Sequence, residues 1–190
     1  MASFEFDGLI PETLDRALNA NLPDEIAVLR AQSAPDGFNA RHDAIARTYC
    51  YWVVAARVLS PFERGRALLW PQALDREALG RCAAALNGTH DFTAFTPTET
   101  EHVRFERKIG AAEWRSYGLA DEREGELLEF WITADAFMRS MVRVLVGTML
   151  EVGGGRRTVE DFEALLRGAP RERAGDTAPP HGLYLASVAY

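Results

Sequence analysis

The sequence is almost without lysine: of its 21 basic residues only Lys108 is lysine, and the rest are arginine. Cysteine is scarce too, with Cys50 and Cys82 alone in 190 residues. They lack the paired spacing of a zinc site and the density of a disulfide scaffold, so both are expected as small core residues and no metal is expected. No apolar run is long enough to cross a bilayer, since residues 51–56 and 141–150 are too short or too interrupted. The N-terminus carries no basic, apolar, small-residue signal pattern, which makes a cytoplasmic protein without a membrane partner the expectation. Positive charge is not in excess. The formal net charge of -7 argues against non-specific attraction to a polyanion such as DNA, because that affinity depends on Lys and Arg displacing phosphate counterions.

Repeats, low-complexity tracts and flexible linkers are also missing, so the pieces of the chain are expected to share one core. With 47% hydrophobic and 26% charged residues, the chain has an ordinary globular composition. Proline at position 11 and apolar Leu14, Ala17 and Leu18 predict a short helix over 11–20, and the alternation at Ile26, Val28 and Arg30 predicts a strand. Residues 34–37 read as a turn. Strict alternation over 47–57 is the strongest strand signal, with Arg47, Tyr49, Tyr51 and Val53 on one side and Thr48, Cys50, Trp52 and Val54 on the other.

Residues 60–71 read as irregular, and Asp75 as the N-cap of a helix ending near Leu86. A loop over 89–97 is followed by two antiparallel strands, 103–117 and 126–133, joined by a charged turn. Met138, Met141, Val142, Leu145 and Met149 predict a long helix over 137–152, stopped by three glycines at 153–155. Thr158 with Asp161 opens a last helix in capping-box fashion, 169–180 is a loop, and 183–190 closes the chain as a strand. The order points to an α+β fold.

Taken singly, the chemical candidates are modest. Tyr49 on a strand face with Arg41 and Arg47 nearby in sequence suits a surface that stacks a base and holds phosphate. A strand tyrosine beside surface charge has the same appearance. Arg139 and Arg143, four apart on the predicted long helix, project from one side of it. The triple glycine has no strand before it and no lysine after it, which makes it a helix stop and not a phosphate loop.

Several ordered stretches carry more together. They are Leu18-Asn19-Ala20-Asn21-Leu22-Pro23 with Ile26-Ala27-Val28, then Phe38-Asn39-Ala40-Arg41-His42-Asp43-Ala44 leading to Arg47-Thr48-Tyr49-Cys50-Tyr51. Leu86-Asn87-Gly88-Thr89-His90-Asp91-Phe92, Met141-Val142-Arg143-Val144-Leu145-Val146-Gly147, and Thr177-Ala178-Pro179 before Gly182-Leu183-Tyr184-Leu185 follow. In these motifs the whole chain resembles the TruA family of tRNA pseudouridine synthases. The resemblance implies a mixed, largely antiparallel sheet flanked by helices, in two similar lobes with the active cleft between them. It implies a homodimer that isomerises uridines in the anticodon stem-loop of tRNA without metal or organic cofactor. By the same resemblance Tyr49 stacks on the target uracil, Arg143 pairs with the catalytic carboxylate and Leu183 forms an apolar wall, while Arg41, from its place near Tyr49 in the sequence, is expected as a substrate-binding residue.

One family element has no match. The attacking aspartate of the family stands in a Gly-Arg-Thr-Asp-Ala-Gly loop, and no such string occurs in the 190 residues. Asp43 belongs to a different motif, ahead of the Tyr-x-Tyr strand. Ala2-Ser3-Phe4-Glu5-Phe6 resembles the strand that follows the aspartate loop, so the first lobe is expected to lack its N-terminal part and the chain alone to be inactive. The alternative expectation is a non-catalytic tRNA-binding protein.

Overall fold

The alternation over 47–57 becomes β1 (Ala46–Ala56), the strand on which the rest of the sheet is assembled. The computed structural model describes residues 1–5, 12–99, 103–120 and 124–190, and it divides into two units, Met1–Ala44 and Ile45–Tyr190.

In the first unit the predicted N-terminal helix is α1 (Leu14–Asn19), and Pro11, where the prediction began, lies outside the described residues. The strand predicted around Val28 does not form. One side chain has taken its place: the Asn19 amide donates to the Val28 carbonyl at 2.9 Å and accepts the Val28 N–H at 2.7 Å. Those are the two backbone groups a neighbouring strand would have used. The turn at 34–37 is present, with the Phe38 N–H donating to the Pro35 carbonyl.

The second unit holds the sheet. After β1 come β2 (Leu68–Leu69), α2 (Arg76–Ala85), β3 (Gly88–Asp91), β4 (Glu106–Gly118), β5 (Gly125–Ala134), α3 (Met141–Gly153), α4 (Val159–Leu165) and β6 (Leu183–Ala189). The strands run in the order β2-β1-β5-β4-β3, with β6 also on β1. Among the described strands only the β1–β2 pair is parallel. This is the mixed, largely antiparallel sheet flanked by helices.

The pleat decides what each face covers. Tyr51, Val53, Leu128, Phe130, Ile132 and Ile109 are buried in one cluster with Leu79 and Cys82 of α2, most of α3, and Val159, Phe162 and Leu165 of α4. The opposite face holds a smaller cluster of Val54, Ala56 and Ala67 with Trp52, Leu59, Leu119 and Leu127 packed on it. Both cysteines are buried. α3 is buried almost all round, as expected of an apolar helix held between a sheet and further chain.

Local signals account for the helix ends that were foreseen. The Asp75 carboxylate accepts the Ala78 N–H at 3.0 Å, and Thr158 with Asp161 forms a complete capping box. The predicted loop over 89–97 instead contains β3 and a single turn of 3-10 helix at Thr93–Phe95. β2 likewise falls within the stretch read as irregular. α3 begins at Met141 and not at residue 137, because Ser140 lies in the left-handed region at φ +60° and breaks the helical run. Arg139 therefore precedes the helix and is exposed, and it does not share a helical face with Arg143.

Candidate functional site

The site is built on the helix-covered face of β1. Tyr49 and Tyr51, two apart on the strand, point to that face and pair across the ladders with Ile132 and Phe130 of β5. On the other side β6 sets Leu185 opposite Tyr49 and Leu183 opposite Tyr51, with a bulge between Thr48 and Tyr49. Leu183 and Tyr49 are both half-buried against the main core. The Tyr49 ring meets Phe137 edge-on, with centroids 5.1 Å apart and planes at 87°. Among the described residues the Tyr49 hydroxyl has no hydrogen-bond partner, and its ring is set by Phe137 together with the core it packs against.

Tyr51 is different. It is fully buried, and its hydroxyl donates to the Pro179 carbonyl at 2.7 Å. Burial pushes its phenol well above the usual tyrosine range, while the Arg143 charge pulls the other way. Gly182 explains the glycine of the Gly-Leu-Tyr-Leu motif: a Cβ there would meet the Tyr51 ring at 2.8 Å. Tyr184, next along β6, turns to the other face, where it packs on Trp52 and donates to the Arg66 carbonyl at 2.6 Å.

Arg143 comes from the first turns of α3. Its Nε donates to the Ala178 carbonyl at 2.6 Å, and the Ala178 N–H donates back to the Arg143 carbonyl at 3.1 Å. No carboxylate pairs with it among the described residues, so the two Nη ends of the fork remain available to an anionic partner. The stretch 178–183 thus ties the set together, bonded to Arg143 at Ala178, to Tyr51 at Pro179, and carrying Leu183 into β6.

At the same end of the sheet Asp135 gathers basic chain. Its carbonyl accepts from Arg47 Nη1 at 2.9 Å, and its carboxylate accepts the Lys108 and Ala136 N–H groups at 3.3 and 2.7 Å. Arg47 is thereby held on the same strand as Tyr49, and the Lys108 backbone on β4, two strands away.

Arg41 lies in the other unit, exposed, on a turn organised by Asn39, whose Oδ1 accepts the Arg41 and His42 N–H groups at 2.9 and 3.1 Å. The same turn fixes Asp43, whose carboxylate accepts the Asn39 N–H at 2.7 Å. That is a local structural use of the carboxylate. No group of His, Cys, Asp and Glu suited to a metal occurs among the described residues. Nor is any described helix long and apolar enough to cross a membrane.

Tyr51, Phe137 and the 175–178 stretch were not foreseen as parts of the site. Tyr51 had a signal, as the second tyrosine of Tyr-x-Tyr. Gly147 had one as well, a lone glycine inside an apolar helix, four residues after Arg143 and on its face.

Comparison with known proteins completes the assignment. The family model described as tRNA pseudouridine synthase matches residues 82–190. The chain is 38% identical over 185 residues to the tRNA pseudouridine synthase A of a Geobacillus species, covering 97% of this chain and 72% of the relative. It is likewise 38% identical over 174 residues to the tRNA pseudouridine synthase A of Bacillus subtilis, covering 92% and 68%. A third tRNA pseudouridine synthase A, from Chloroflexus aurantiacus, is 39% identical over 184 residues. With motifs, sheet and relatives in agreement, the chain belongs to the TruA family of tRNA pseudouridine synthases.

Proposed function

We propose that this protein isomerises uridines in the anticodon stem-loop of tRNA, using a pocket of Tyr49, Arg143 and Leu183 with Arg41 as a further substrate contact. The reaction breaks the bond from the ribose C1′ to N1 of uracil and joins C1′ to C5, with a proton leaving C5 and one gained at N1. Nothing is oxidised or reduced, and no cofactor is required. A base must leave its stack for this chemistry, and an aromatic ring is the sequence-tolerant partner for an extruded base, worth about 1–3 kcal/mol per stacked base. Tyr49 has that ring on a rigid strand. Arg143 would hold an attacking carboxylate ionised and aimed through the free ends of its guanidinium. Leu183 supplies an apolar wall that limits water.

The observation that carries this reading is the tie between α3, β1 and β6: Arg143, Tyr51 and Leu183 meet on one short segment, with Tyr49 two residues along the same strand face. The carboxylate is not assigned. None of the aspartates in the 190 residues stands in a Gly-Arg-Thr-Asp string, and Asp43 is engaged in its own turn. We therefore propose that the 190-residue polypeptide on its own binds tRNA, as a homodimer, and forms no pseudouridine. A purely RNA-binding protein is the second reading, favoured by the same missing string.

The test is to incubate transcribed tRNA with the 190-residue polypeptide and with the protein expressed from its native gene, then map pseudouridine at nucleotide resolution. Product in the anticodon arm from the natively expressed protein alone is expected. Turnover by the 190 residues would refute the inactivity, modification confined to other arms would refute the stem-loop assignment, and no product from either would favour the binding protein. Sedimentation of the sample as a monomer would remove the homodimer.

A further inference from the structure

α3 presents one stripe to the stretch of chain that reaches the site. Arg143, Gly147 and Glu151 follow one another at four-residue spacing on one side of the helix, with Thr148 beside Gly147 at its flank. Residues 175–178 lie along that stripe. The Gly175 N–H donates to Thr148 Oγ1 at 3.0 Å, and Thr148 itself is fully buried and donates to the Val144 carbonyl at 2.8 Å. The Asp176 N–H donates to Glu151 Oε1 at 3.2 Å, and Glu151 Oε2 is held by Arg157 Nε at 2.6 Å. Between these contacts the Asp176 carbonyl passes over Gly147 so closely that a Cβ there would overlap its oxygen. The Ala178 N–H and carbonyl then close on the backbone and the Nε of Arg143.

We propose that this seat, with Gly147 at its centre, is the device that aims the Arg143 guanidinium, so that Gly147 and Thr148 are positioning residues for the reaction. An arginine on a helix surface samples many rotamers. Committing Nε to the Ala178 carbonyl removes that freedom and turns the two Nη ends in one fixed direction. The acceptor is a backbone atom, so its position depends on how the 175–178 stretch lies on α3, which Gly147 permits and Thr148 and Glu151 anchor. Adding one methyl at 147 must lift Asp176, and the Ala178 carbonyl is two residues away.

This inference rests on Arg143 being the partner of the attacking carboxylate, and its test separates the two ideas. The Nε–H resonance of Arg143 is assigned in nitrogen-15 spectra of the 190-residue polypeptide and its Gly147→Ala and Thr148→Val variants, and solvent exchange is measured. Hydrogen-bonded Nε–H is expected to be protected in the parent, with exchange at least about tenfold faster in each variant, as for any hydrogen bond opened locally. Pseudouridine formation by the natively expressed protein is expected to fall mainly in kcat, by about a hundredfold for Gly147→Ala, with KM for tRNA little changed.

Unchanged exchange in Thr148→Val overturns the aiming role even if Gly147→Ala fails to fold. So does a loss carried by KM alone. Faster exchange with unaltered kcat, together with an Arg143→Lys variant that turns over normally, would sustain the aiming geometry and reject the reading of Arg143 itself.

Discussion

Replacing Tyr51 with phenylalanine deletes one oxygen, and the structure says where that oxygen matters. The ring is fully buried and its hydroxyl donates to the Pro179 carbonyl at 2.7 Å. In Tyr51→Phe the ring and its packing survive, but a carbonyl in a protein-lined site loses its donor. An unsatisfied buried acceptor costs about 1–3 kcal/mol, against about 1 kcal/mol for the net value of an ordinary hydrogen bond. A loss of about 1.5 kcal/mol is expected, which for a domain of this size lowers Tm by about 3–6 °C. The matched control is Tyr49→Phe. The Tyr49 hydroxyl has no partner among the described residues and its ring contact with Phe137 is kept by phenylalanine, so a change within about 0.5 kcal/mol is expected there. Urea titration of both variants, followed by far-UV circular dichroism with a common slope, compares them directly. A Tyr51→Phe loss under about 0.5 kcal/mol, or a larger loss in Tyr49→Phe, would refute the division of the Tyr-x-Tyr pair into an anchoring and a presenting residue.

The two cysteines give a pH signature: burial, helped by the Glu129 charge at Cys50 and offset by Arg81 at Cys82, pushes both thiols from 9.0 up to about 12. Above pH 9 the unfolded chain releases these protons while the folded one keeps them, so stability is intact below pH 9 and declines as pH rises towards 12. Thermal melts across that range should show the decline and Cys50→Ala with Cys82→Ala should lessen it, leaving the part due to the buried Tyr51 phenol, whereas a melt equally pH-dependent without the thiols would contradict the assignment. A disulfide reagent at pH 8 should react with neither cysteine until denaturant is added, and fast labelling of the native protein would show that burial is incomplete. Thr158→Ala removes the capping-box acceptor at the start of α4 and is expected to lower stability by about 1 kcal/mol, measurable by urea titration, with no loss in Thr158→Ser.

How much was legible in the sequence depended on whether an element carried its own signal. β1, β4, β5, α2 and α4 did, through period-two alternation or a capping residue with a partner three positions on. β3 did not. Gly88-Thr89-His90-Asp91 is four polar residues long and becomes a strand only because β4 lies alongside it, with His90 opposite Arg107. The apolar spacing at Phe137 and Met138 was real but misleading: Met138 is buried and Phe137 packs on Tyr49, yet both do so from non-helical chain before the left-handed Ser140. Val28 shows the opposite failure, where alternation was satisfied by a side-chain amide in place of a strand. At the candidate site, the family motifs pointed to Tyr49, Arg143 and Leu183 one by one. That a single carbonyl-rich segment binds the helix and strand that present them is a tertiary fact, set by a glycine and a buried threonine that composition does not distinguish from ordinary helix residues.

The most direct test of the account is the pseudouridine content of tRNA treated with the Tyr49→Ala variant of the natively expressed protein, measured beside its melting curve. Losing a stacked base partner worth about 1–3 kcal/mol should reduce product formation by about tenfold or more, while the edge contact with Phe137 is a small part of the core and Tm should fall only slightly. Turnover that survives the substitution, or that falls only in proportion to stability, would show Tyr49 to be a packing residue and the pocket proposed around it to be misplaced.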